Sequence, residues 1–166
     1  LVRSRGLGDV YKRQVQKKLV VDFVKRRLNG GGEIDKVLEA EKFWKDLKSA
    51  SVRYGAIISQ PNQLGEDYAY YVELLEGLQK SHRIALMTLL SQNYGEEEIA
   101  EIIRLVYVLS YRWSMANLSR QAIEDLFQTL STKMREGAIA SDLIAELVVQ
   151  CDDVHVDFSR FFRGDI

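Results

Sequence analysis

Residues 96–127 constrain the fold of this chain more than any other part of the sequence. They begin with three glutamates, continue as a run that is apolar on nearly every side of a helix, and end in a second amphipathic segment. Carboxylates in a first turn complement the positive end of a helix. A helix that is apolar nearly all round belongs at the centre of a fold. The stretch therefore predicts a central helix and a second helix packed in one core.

The rest of the chain also favours helices. It has 166 residues with a single proline, Pro61, and its 11 glycines fall mostly between periodic segments. Apolar residues recur at helical spacing and show no convincing strand alternation. The predicted helices are 15–28, 33–59, 66–79, 82–92, a helix that starts at Glu96, a helix that follows a cap at Asn117 or Ser119, and 141–150. We predict a single-domain, all-α bundle of about seven helices.

A regular apolar stripe runs along the predicted helix 33–59. Its members alternate in steps of three and four residues: Val37, Ala40, Trp44, Leu47, Ser51, Tyr54 and Ile58. This spacing is typical of a coiled-coil seam. We expect the stripe to pack against a neighbouring element.

The first 14 residues differ from the rest of the chain. They show no periodicity, lack a starting methionine and resemble translated sequencing-adapter read-through of the kind found in metagenomic assemblies. A basic tail that touches nucleic acid is the rival interpretation. We exclude residues 1–14 from the fold, assign the helical domain to 15–166, and expect the chain to be a fragment of a longer protein.

Charge and cysteine content restrict the class of protein. The net charge is −1, which gives no global attraction to nucleic acid or to an anionic membrane. The single cysteine, Cys151, excludes an intrachain disulfide and a cysteine-rich zinc site. No apolar run approaches the ~20 residues that span a bilayer. We expect a cytoplasmic, soluble protein with no membrane partner.

Few residues suggest catalysis. The segment that follows Cys151 holds two adjacent aspartates and His155, and is compatible with a solvated loop or with a divalent-ion or acid–base site. Pairing of Cys151 with His155 as a nucleophile would need an orienting group and an oxyanion hole, and neither is indicated. We expect no catalytic residue, no metal site and no cofactor in this chain.

Nucleic-acid contact is the main functional possibility that the residues themselves raise. Arg112 ends an apolar helix, where it fits a salt bridge, a carbonyl cap or a phosphate contact shared with Arg120. The basic strip Lys25, Arg26 and Arg27 fits a solvated face or a phosphate backbone. Tyrosines at 68, 70, 71, 107 and 111, with Trp113, fit helix packing or base stacking.

Four ordered segments carry a resemblance to a known family. They are FWKDLKSASVRYGAII at 43–58, YYVELLEGLQKSHRIALMTLLSQNY at 70–94, EEEIAEIIRLVYVLSYRWSMANLSRQAIEDLF at 96–127 and LIAELVVQCDDVHVDFSRFF at 143–162. Together they resemble the helical half of the N-terminal ParB/sulfiredoxin-like module of GmrSD-type modification-dependent restriction endonucleases. Arg112, Asn117 and Phe127 match its pattern. Trp113 and Ser114 stand where the family often has a second arginine and a cysteine-glycine pair.

The resemblance implies a helical portion of an NTP-dependent, DNA-directed phage-defence protein. In that family the nucleotide-handling residues lie upstream, with an acidic Gly-Gln-Gln-Arg motif, and the His-Me-finger nuclease is a separate downstream domain. Neither is present in this chain. The implied role is structural or DNA-contacting, with DNA and other domains of the parent protein as partners. The candidate DNA-contacting residues are Arg112 and Asn117, which match the family pattern, and Arg120, Lys25, Arg26 and Arg27, which the charge pattern adds. The alternative is a helical protein–protein interaction module without a nucleic-acid role.

Overall fold

A computed structural model describes residues 33–163 apart from 60, 62, 63, 65 and 79. Over these residues it contains helices and no strand, as the sequence predicts. The helices are α1 (Glu33–Ser59), α2 (Glu66–Glu76), α3 (His82–Leu89), α4 (Glu96–Met115), α5 (Arg120–Arg135) and α6 (Ala140–Arg163). The predicted helix 15–28 lies outside the described residues.

The chain divides into two compact units, Leu1–Ser49 and Ala50–Ile166, with the boundary inside α1. The described part of the first unit is the N-terminal portion of α1, whose side chains are mostly exposed. The second unit holds the end of α1 and the five helices that follow.

Helix α4 forms the centre of the second unit. It packs against α6 on one side and α2 on another, while α3 packs mainly on α5. Four of its side chains, Ile102, Ile103, Val106 and Leu109, are completely buried. Phe127 of α5 is also completely buried, in the same core. The predicted central helix is therefore confirmed.

Local chemistry explains where the helices begin and end. The Gly95 amide donates to Glu98 Oε2 at 2.8 Å, which caps the acidic start of α4. The Ala122 amide donates to Ser119 Oγ at 3.5 Å, so Ser119 is the N-cap of α5. Gly137 follows the end of α5 and has a φ of 89°, a left-handed conformation that glycine adopts without strain.

Helix α6 is longer than the sequence predicts. The predicted end at residue 150, with a solvated aspartate loop after it, is wrong because the helix runs to Arg163. Cys151 and Val154 continue the buried face of Leu147, while Asp152 and Asp153 lie on the exposed face. The aspartates therefore lie on the solvent-facing side of a continuous helix.

The stripe on α1 is largely exposed. Val37, Trp44 and Leu47 are 60%, 66% and 44% exposed, so the described residues do not cover them. Ala56 and Ile57, which do not belong to the stripe, are the α1 residues buried in the second unit. The expected packing of the stripe against a neighbour is therefore not found among the described residues.

Candidate functional site

The turn between α4 and α5 holds two of the residues that the resemblance selects. The Leu118 amide donates to the Trp113 carbonyl at 3.2 Å, and the Asn117 amide to the Ser114 carbonyl at 3.2 Å. This bonding is the Schellman motif, which places the residue after the C-cap in the left-handed region. Asn117 occupies that position with a φ of 52°. Asparagine is one of the few residues that tolerates it, so the local backbone accounts for Asn117.

Arg112 links the central helix to α6. Its Nη1 donates to the main-chain carbonyl of Cys151 at 2.7 Å. A charged donor makes a stronger hydrogen bond than a neutral one. The indole N–H of the neighbouring Trp113 donates to the Ser119 carbonyl at 2.9 Å and closes the same turn. The sequence left a salt bridge, a carbonyl cap and a phosphate contact open for Arg112. In the structure Arg112 binds a main-chain carbonyl, and this carbonyl belongs to α6 and not to its own helix.

Arg120, a further predicted nucleic-acid residue, forms an ion pair within its own helix. Arg120 Nε lies 2.8 Å from Glu124 Oε1, an i,i+4 pair in which the arginine side chain is 71% exposed. Arg112 and Arg120 thus have different partners. The basic strip Lys25, Arg26 and Arg27 lies outside the described residues. Arg120 presents a cation to solvent near the start of α5, and its pairing with Glu124 reduces the local positive charge.

The cysteine and the acidic segment of α6 do not form a nucleophilic site. The Cys151 thiol is buried and contacts the Leu105 carbonyl at 3.7 Å. Burial raises the pKa of this thiol, which keeps it protonated and unreactive. His155 Nε2 contacts Ser159 Oγ at 3.4 Å on the exposed side. Across the described residues, no group of three or more His, Cys, Asp or Glu side chains is arranged to hold a metal ion.

A polar cluster that the sequence did not reveal consists of Tyr54, Glu76, His82 and Arg83; we call it the Arg83 cluster. Arg83 Nε donates to Glu76 Oε1 at 2.9 Å, and Arg83 Nη2 pairs with the second carboxylate oxygen. Arg83 Nη1 donates to the Tyr54 hydroxyl at 3.0 Å. The completely buried His82 places Nε2 3.1 Å from Glu76 Oε1. The cluster joins α1, α2 and α3.

The electrostatics of the Arg83 cluster follow from these contacts. The hydrogen bonds from Arg83 lower the pKa of the Glu76 carboxyl, and the contact with His82 adds to the effect. The same carboxylate raises the pKa of the Arg83 guanidinium. The guanidinium also lies 5.6 Å from the centre of the Tyr54 ring, within cation–π range. The Glu76–Arg83 pair is therefore ionised at neutral pH and links the end of α2 to the start of α3.

Two shallow grooves adjoin this cluster. One, of about 340 Å³, is lined by Arg83, Tyr54, Lys80, Ile84 and neighbouring side chains. The other, of about 350 Å³, is lined by Glu76, Glu73, Ile57 and neighbouring side chains. Both grooves are open to solvent and have mixed polar and apolar linings, which include Ser81 and Glu124 in the first groove and Ser59 in the second.

Four tyrosines form a continuous series on α2 and α4. Tyr70 and Tyr71 have ring centroids 5.5 Å apart, Tyr71 and Tyr107 5.7 Å, and Tyr107 and Tyr111 6.1 Å. Tyr71 and Tyr107 also pack against the hydrophobic core. Burial raises the pKa of the Tyr107 hydroxyl. The inner tyrosines therefore serve helix packing, while Tyr70 and Tyr111 are exposed at the two ends of the series.

No family model, no curated protein and no solved structure matches the chain. A functional assignment therefore rests on the residues and contacts described above. Among the described residues, no helix combines the length and the apolar character needed to cross a membrane.

Proposed function

We propose that this chain is the helical, non-catalytic portion of an NTP-dependent, DNA-directed restriction protein of the GmrSD type. All four segments that carry the resemblance contribute residues to one hydrophobic core, and Ile57 is the contribution of segment 43–58. Helix α4, in the third segment, packs against both α2 and α6, which lie in the second and fourth segments. The role that follows is to hold the DNA-directed parts of the parent protein and to contribute cationic contacts.

The observation that carries this proposal is the hydrogen bond from Arg112 to the Cys151 carbonyl. This bond joins segment 96–127, which contains Arg112, to segment 143–162, which contains Cys151. Asn117, a second matching residue, occupies a backbone conformation that few residues adopt. The third, Phe127, is completely buried, so all three positions have a physical reason within a helical scaffold. Because Arg112 binds a carbonyl within the fold, we assign the phosphate contacts to the exposed Arg120 and to the strip Lys25, Arg26 and Arg27.

Duplex-DNA binding by the full chain, measured over a series of salt concentrations, tests the proposal. We expect affinity to fall as salt rises, because neutralised phosphates release counterions. The triple variant Lys25→Glu/Arg26→Glu/Arg27→Glu should weaken binding and make the salt dependence shallower, by about one unit of slope for each lost contact. The parent gene should also encode the acidic Gly-Gln-Gln-Arg motif upstream of Val15.

A charge-matched control is Lys42→Glu/Lys45→Glu/Arg135→Glu, which changes three exposed or half-exposed cations elsewhere. It should retain most of the affinity. Equal losses in the two triple variants would mean that only net charge matters. Absence of salt-sensitive binding in the unchanged protein would reject the DNA-contacting role.

A helical protein–protein interaction module is the second candidate. The exposed apolar stripe of α1 favours it, because large apolar side chains in one row on a surface are typical of an interaction site. This candidate predicts protein association that does not depend on Lys25, Arg26 and Arg27. The DNA experiment therefore separates the two functions.

A further inference from the structure

We infer that the α1 stripe is an interface between two copies of this chain, which pair as an antiparallel two-stranded coiled coil. This inference names the partner for the second candidate function, and it is independent of the DNA-contacting role. It starts from the exposed row of Val37, Trp44, Leu47 and Tyr54 on one helix. These residues belong to a seven-member repeat that extends from Val37 to Ile58.

The spacing of the stripe fits a coiled-coil partner. Steps that alternate between three and four residues keep one seam facing a second helix when the two supercoil. A globular core instead accepts a broader apolar face. The seam covers about three heptads, near the lower limit for a coiled coil. The expected association is therefore weak and depends on concentration.

The sizes of the seam residues favour an antiparallel arrangement. With Trp44 opposite Leu47 of the second copy, Val37 lies opposite Tyr54 and Ala40 opposite Ser51. Each large ring then meets a smaller side chain. A parallel arrangement would place the two Trp44 rings in one layer and the two Ala40 methyl groups in another, which gives layers of very unequal width.

Charge complementarity supports the same register. Glu41 and Lys48 lie beside the seam, and both are exposed. In the antiparallel register Glu41 of one copy faces Lys48 of the other, and two-fold symmetry makes this pair twice. Flanking pairs of this kind set the orientation of a coiled coil. The surface is therefore complementary to itself.

The experiment is sedimentation velocity of the full chain over a wide range of concentrations, with a matched pair of variants. Leu47→Glu puts a charge in the seam, whereas Leu38→Glu puts the same charge at an exposed position outside it. We expect a reversible dimer for the unchanged protein and for Leu38→Glu, and a monomer for Leu47→Glu. Circular dichroism should show the same helix content in all three.

Charge reversal tests the register. Glu41→Lys and Lys48→Glu should each weaken the dimer, and the double variant should restore it, because the opposed charges are then exchanged. A protein that stays monomeric at every concentration would overturn the inference. So would a dimer that survives Leu47→Glu, equal losses in the two leucine variants, or a double variant that fails to recover. None of these results affects the DNA-binding measurement.

Discussion

Helix α4 and the N-terminal part of helix α1 both carry apolar residues at helical spacing, but these residues lie in different surroundings. Leu109 of α4 is fully buried, whereas Leu47 of α1 is 44% exposed. Helix α4 has α2, α3 and α6 packed around it. The difference teaches that periodicity identifies which face of a helix is apolar, whereas the other elements decide what covers that face.

The largest expected effect comes from one substitution made in both helices. Leu109→Ala should lower the free energy of unfolding by about 2–5 kcal/mol, because it leaves a cavity in a close-packed core. Leu47→Ala should change it by no more than about 0.5 kcal/mol at concentrations where the chain is monomeric. Chemical denaturation followed by circular dichroism measures both values. Similar losses would mean that Leu47 is covered in the folded monomer.

A smaller effect is expected at the Arg83 cluster, where the C-terminal part of α1 contacts α3 within the second unit. Arg83→Met should cost about 1–3 kcal/mol, because Glu76 and Tyr54 lose their charged donor. Arg104→Met removes a surface i,i+3 pair with Glu101 and should cost less than about 1 kcal/mol. Equal costs for the two variants would contradict a structural role for the Arg83 cluster.

The pH dependence of stability provides a second measurement of the Arg83 cluster. The pKa of Glu76 is lowered in the folded protein, so its contribution is present above the unfolded pKa and is lost as pH falls through the folded pKa. As pH falls below the ordinary pKa range of a glutamate carboxyl, the unchanged protein should therefore lose stability more steeply with acid than Glu76→Gln does. Parallel curves for the two proteins would reject the contribution of this carboxylate.

The smallest effect is expected at the turn that follows α4. Asn117→Ala should cost about 1 kcal/mol, because alanine resists the left-handed conformation. Asn117→Gly should be nearly neutral in thermal unfolding, because glycine accepts it. If Asn117→Gly keeps its stability but loses duplex-DNA binding, the Asn117 side chain contacts DNA as well as ending the helix.

Much of the fold was predictable from the sequence, because its strongest signals are local. The glutamates at 96–98 and the apolar run after them indicate α4, and the two candidate caps, Asn117 and Ser119, indicate the start of α5, where the structure selects Ser119. The predicted end of α6 at residue 150 is wrong because Asp152 and Asp153 favour a solvated loop, whereas Cys151 and Val154 continue the buried face. A helix can continue through polar residues when its other face stays apolar.

The candidate site was less predictable because its contacts join residues that are distant in sequence or separated by a helix break. Arg112 and Cys151 are 39 residues apart, so the sequence offered no way to choose the Cys151 carbonyl as the partner. Glu76 and Arg83 are seven residues apart but lie on two helices with a turn between them, so helical spacing does not predict their contact. Three-dimensional packing alone brings these groups together.

The placement of the two tryptophans gives this protein two separate optical reporters. The chain has two tryptophans. Trp44 is mostly exposed on α1, whereas Trp113 packs against the core with its indole N–H bonded to the Ser119 carbonyl. An aqueous quencher should reach Trp44 first, and association of two chains should shield it and shift its emission to the blue. Trp113 should change only when the core unfolds, so one emission spectrum follows assembly and folding as distinct events.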